Sequence, residues 1–86
     1  MTEAATPQRI LPTEIESLLS ALMAHEPAAE LRAGADRLEA AVTVEGDVPA
    51  AALEDLNTAI DLVRNDQPCA AASALLAARS ALAPRA

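Results

Sequence analysis

Four stretches of this chain repeat apolar residues at helical spacing, and proline, glycine or a turn-forming cluster separates each from the next. In the first, Ile15, Leu18, Leu19, Leu22 and Met23 follow the i, i+3, i+4, i+7, i+8 template of one helix face. Thr13 and Glu16 stand at capping-box spacing, where each side chain accepts from an orphan backbone N–H of the other residue. The pattern predicts a helix over 13–25. Pro27 ends it, because the residue before a proline is pushed out of the α region.

Pro27 also suits the first turn of a second helix over 28–45. Leu31, Ala35, Leu38 and Val42 share one face there, and Gly34 is expected to admit a neighbouring backbone. Gly46 is expected to form the C-terminal cap. Val42-Thr43-Val44 is β-branched, so 42–48 reads either as the end of this helix or as extended chain. The link between helices one and two is little more than Glu26, which predicts a sharp angle between them. A third helix over 49–64 carries Leu53, Leu56, Ile60 and Val63, with Asp47 or Val48 at its cap.

Asn65-Asp66-Gln67-Pro68 is a turn signal, and Pro68 opens a fourth helix over 68–83. This helix differs from the others. From Cys69 to Ala83 only Ser73, Arg79 and Ser80 are polar. A helix apolar on nearly every side is normally covered on more than one side, and a chain of 86 residues has little else to cover it with. Alanines 70, 74, 77, 78 and 81 would let a second helix approach closely. The expected contact surface is Leu75, Leu76, Ala78 and Leu82, with Leu18, Leu22 and Met23 as a second set.

Residues 1–10 lack periodicity and read as a flexible tail, leaving 11–86 as a single domain. The expected fold is all-α, a compact, alanine-rich bundle of four short helices arranged as two αα-hairpins. Ala59-Ile60-Asp61-Leu62, then Asn65-Asp66-Gln67-Pro68, then Ala71 to Ala78 loosely resembles the joint between tetratricopeptide repeats. The likeness covers about 20 residues, lacks that pattern's aromatic and glycine positions, and has no second copy in the sequence, whereas such arrays need about three repeats. It reads as a generic helical hairpin.

Composition narrows the possible functions. Twenty-three residues are alanine, none is aromatic, and all six basic residues are arginine. Leu, Ile and Val number 12, 3 and 4, about 22% of the chain. That is just above the roughly 20% below which a charged chain is expected to be disordered. Abundant Ala and Arg without Lys suggests a GC-rich, bacterial coding sequence. The net charge of −7 and the scattered arginines argue against nucleic acid and against an anionic membrane surface. No stretch approaches the roughly 20 apolar residues of a spanning helix. The first ten residues lack an apolar signal region, so the cytoplasm is the default.

Candidate chemistry is sparse. His25 is the only histidine; in His25-Glu26-Pro27-Ala28-Ala29-Glu30 the second histidine of a zincin is replaced by Ala29. Leu22 stands where a di-iron Glu-x-x-His motif needs its glutamate. The expected role of His25 is that of a polar residue at a helix C-terminus. Cys69, the only cysteine, sits in the first turn of helix four and is expected to be a small buried hydrophobe.

Glu14, Glu16, Glu30, Glu54 and Asp55 fall near helix starts, where the macrodipole favours them. Arg32 with Asp36 and Asp61 with Arg64 are expected as pairs within a helix. No phosphate loop is possible with Gly34 and Gly46 as the only glycines. No catalytic, cofactor-binding or metal site is therefore expected. The expected function is a small non-catalytic interaction module (a helical subunit, adaptor or secretion-type chaperone) that self-associates or joins a protein partner through helix four. The alternative is an acidic inhibitor or nucleic-acid mimic that occupies a basic site on another protein.

Overall fold

The computed structural model describes residues 10–82, which form four helices: α1 (Ile10–Met23), α2 (Ala28–Glu45), α3 (Ala50–Arg64) and α4 (Pro68–Leu82). They pack in ring order, with α1 against α2, α2 against α3, α3 against α4 and α4 against α1. Leu18 lies beside Gly34 and Glu14 beside Arg37, so α1 and α2 run antiparallel along their lengths. The core is a stack of leucines and alanines with no buried polar side chain among the described residues. Leu11, Ile15, Leu18, Leu38, Leu56 and Leu75 are its largest fully covered members.

The proline-marked turns fall where the sequence places them, but they close differently. α1 stops at Met23, two residues early, and the chain reverses through Ala24 and His25. His25 adopts φ 58, in the left-handed region. Its N–H bonds to Leu22 O at 3.2 Å, and the Glu26 N–H bonds to Ala21 O at 3.1 Å. That pair of bonds is a Schellman closure. The freed residues make a clean reversal, so the sharp angle expected from a one-residue link does not form. Asp66, at φ 61, repeats the device between α3 and α4. There Asp66 N–H reaches Val63 O at 3.1 Å and Gln67 N–H reaches Leu62 O at 2.8 Å. Gly46 caps α2 as expected, at φ 72, and helix continues through Glu45 rather than ending as extended chain at Val42.

The shared turn marks a repeat that residue identities conceal. With Pro27 laid on Pro68, Leu11 falls on Ala52, Ile15 on Leu56, Leu18 on Ala59, Leu19 on Ile60 and Leu22 on Val63. All ten are buried. The half-covered positions Glu14 and Ala21 likewise fall on Asp55 and Leu62. The first helix and the turn of the two αα-hairpins thus repeat one pattern, whereas α2 and α4 bury different registers: Ala35 and Leu38 are covered, and the matching Leu76 and Arg79 are exposed.

Several local expectations are corrected. Thr13 lies inside α1 and is no cap, because the helix already includes Ile10; the rest of the expected tail lies outside the described residues. The Leu11 N–H in the first turn is instead met by Glu45 Oε2 at 3.2 Å. This carboxylate at the end of α2 compensates the positive end of α1. Neither Asp47 nor Val48 caps α3: its cap position is Pro49, without a side-chain bond. Gly34 admits a side chain rather than a backbone, since a Cβ there would stand 2.9 Å from Leu18 Cδ1.

The two readings of the α1 cap separate by mutation. Glu45→Ala is expected to cost about 1 kcal/mol and Thr13→Ala less than about 0.5 kcal/mol. Urea unfolding followed by circular dichroism measures both.

Candidate functional site

α4 buries one stripe only. Ala71, Leu75 and Ala78 are fully covered inside the chain, against a neighbour, α3, whose Ala52 and Ala59 are also fully covered. These two helices pack more extensively than any other pair, as small side chains on both faces allow. The helix that looks apolar all round therefore has a buried alanine–leucine stripe and an exposed side containing Ala70, Ala77 and Ala81. Exposed alanine is inexpensive because it is the best helix former and has little surface to hide.

The expected contact residues divide accordingly. Leu75, Ala78, Leu18 and Leu22 already serve the core, with Leu75, Ala78 and Leu18 at 1% exposure or less, and cannot contact another molecule without opening the bundle. Leu82 is half-buried. Leu76 and Met23 remain on the surface, 46% and 74% exposed. The sequence pattern places Met23 on the core face; as the last residue of α1 it keeps the side of Leu19 but lies exposed at the helix end.

Leu76 and Met23 line the same feature. The α1–α4 seam, the least extensive of the four, opens into a groove of about 540 Å³. Leu19 and Ala72 line it beside Met23 and Leu76, while Glu16 and Arg79 stand at one end. Arg79 Nη1 donates to both carboxylate oxygens of Glu16, at 3.0 and 3.2 Å. The other two exposed large apolar residues, Ile10 and Val44, lie at the opposite end of the bundle from Met23.

Charges tie elements to one another rather than neighbours within a helix. Arg32 pairs with Asp66 at 3.1 Å, not with Asp36. Arg64 reaches across to Asp36 at 2.6 Å and Glu39 at 2.9 Å, not to Asp61. Its bonds to Glu39 and Asp36 push the guanidinium's proton affinity above its ordinary value. Arg37 approaches Glu14 at 3.4 Å. Glu14 and Glu16 thus serve interhelix pairs, because the earlier start of α1 moves them beyond its first turn.

The chemical candidates stay apart. His25 is exposed in its turn, and Cys69 is exposed rather than buried, on the first turn of α4. Among the described residues no group of three His, Cys, Asp or Glu side chains gathers, and no helix is long and apolar enough to cross a membrane. Compared with protein-family models, curated proteins and solved structures, the chain matches none.

The division of α4 into core and surface residues is directly measurable. Leu75→Ala is expected to cost about 2–5 kcal/mol of stability, whereas Leu76→Ala should change it by less than about 0.5 kcal/mol. Chemical denaturation of the two variants makes the comparison.

Proposed function

We propose that this protein is a small non-catalytic interaction module that holds a protein partner through the α1–α4 groove. One observation carries the reading: the exposed side chains of Met23 and Leu76, on adjacent helices, converge on one open groove floored by apolar residues. Large apolar side chains gathered in a concavity mark interaction sites more strongly than the same residues scattered over a surface. Leu75 and Ala78 give way as contact residues to Leu76 and Met23, with Leu19 and Ala72 beneath them.

The competing reading, an acidic mimic, rests on net charge alone. Glu14, Glu16, Asp36, Glu39 and Asp66 are each engaged with an arginine on another element, and Glu45 with a backbone N–H. That internal use of the carboxylates favours the groove.

A photo-crosslinking residue placed at Leu76 in the native host tests the proposal. It is expected to give a discrete adduct, while the same residue at exposed Thr58 on α3 should give none. Equal labelling at both positions, or none at Leu76, would contradict it.

A further inference from the structure

Charge is distributed unevenly around the bundle. α2 and α3 carry ten charged residues, seven acidic and three arginine, whereas α1 and α4 carry only Glu14, Glu16 and Arg79. Glu14 pairs with Arg37 on α2, so among the described residues the α1–α4 groove keeps Glu16 and Arg79 alone, one of each sign. In a chain with a net charge of −7, this face is locally neutral. Depletion of charge around an apolar centre is the compositional mark of an association surface.

The two sides of the seam also match each other level by level. α1 and α4 run antiparallel, so Glu16 stands beside Arg79, Leu19 and Ser20 beside Leu76, and Met23 beside Ala72. At each level one side complements the other: an acid with a base, buried Leu19 with exposed Leu76, exposed Met23 with a small alanine. A two-fold axis lying along the seam sets the α1 side of one copy over the α4 side of the next at the same level. Arg79 then meets the partner's Glu16, Leu76 meets the partner's Leu19 and Ser20, and Met23 meets the partner's Ala72. An axis across the seam would instead lay Arg79 on Ala72 and Glu16 on Met23, covering both charges with apolar groups at a desolvation cost.

We propose that the α1–α4 groove is filled by a second copy of this chain, docked face to face about a two-fold axis parallel to the helices. This rests on the interaction reading above and names the partner. Among the described residues Arg79 uses only Nη1 for its own Glu16, which leaves Nε and Nη2 for the partner's carboxylate. α2 and α3, which hold most of the negative charge, form the opposite face of each bundle, and a Debye length of about 8 Å at physiological salt screens them from the other copy. The face is two helices wide and about 21 Å long, at the low end of what a specific dimer buries. A Kd of about 10–100 μM is therefore expected. Below that concentration the isolated chain keeps its groove open.

Charge reversal tests the arrangement. Arg79→Glu leaves two acids at that level of the groove, and Glu16→Arg leaves two bases. Both positions are exposed, and circular dichroism verifies that the variants fold. In sedimentation equilibrium up to about 500 μM, the wild type is expected to dimerise, and each variant alone to do so at least about tenfold more weakly. An equimolar mixture of the two variants sets acids over bases and should recover dimerisation to within about threefold of the wild type. Single variants that dimerise as well as the wild type, or a mixture that does not recover, would overturn the proposal. So would a wild type that stays monomeric over the whole range. A Leu76 crosslink to a different protein would then keep the interaction reading, whereas no Leu76 adduct at all would end both.

Discussion

Fully covered alanines on α3 and α4 set the geometry of this bundle. Without an aromatic ring to fill space, the core can reach native packing density only if backbones come close together. Ala59, Ala71 and Ala78 suit that approach on α3 and α4, and the leucines, isoleucines and valine of the four helices fill the remainder. The ring of helices then has a tight side and a loose side. α4 contacts α3 most extensively and α1 least. The opening beside Leu76 is thus a consequence of how the rest of the chain packs.

Much of this architecture is legible in the residues. Proline and glycine mark the boundaries between helices within a few positions. Ile15, Leu18, Leu19 and Leu22 of α1, and Ala35 and Leu38 of α2, are buried at the spacing their pattern predicts. What the sequence does not reveal depends on neighbours distant along the chain. Glu45 caps α1 only because α2 brings its end alongside Leu11. The arginines choose partners on other elements because antiparallel packing places Asp36, Glu39 and Asp66 within reach. The left-handed turns at His25 and Asp66 use residues that tolerate positive φ without requiring it, so no glycine announces them.

The surface site is half legible for a related reason. Periodicity identifies an apolar face but does not say which apolar residues of an alanine-rich helix become core. On α4 every side looks alike, and tertiary packing selects Leu75 over its neighbour Leu76. Arg64, bonded to Asp36 and Glu39, lies over the α2–α3 seam, whereas Met23, at the matching place on α1, stays at the surface with Leu76. Core packing and surface exposure therefore fall to adjacent residues of one helix.

The central claim is that the isolated chain leaves the α1–α4 groove open while its leucine core is sealed. Methyl NMR with a soluble nitroxide tests it most directly. The Met23 and Leu76 methyl groups are expected to broaden strongly, and those of Leu38, Leu56 and Leu75 to remain sharp. Protection of Met23 and Leu76 in the isolated chain, to the level of those core leucines, would contradict the account.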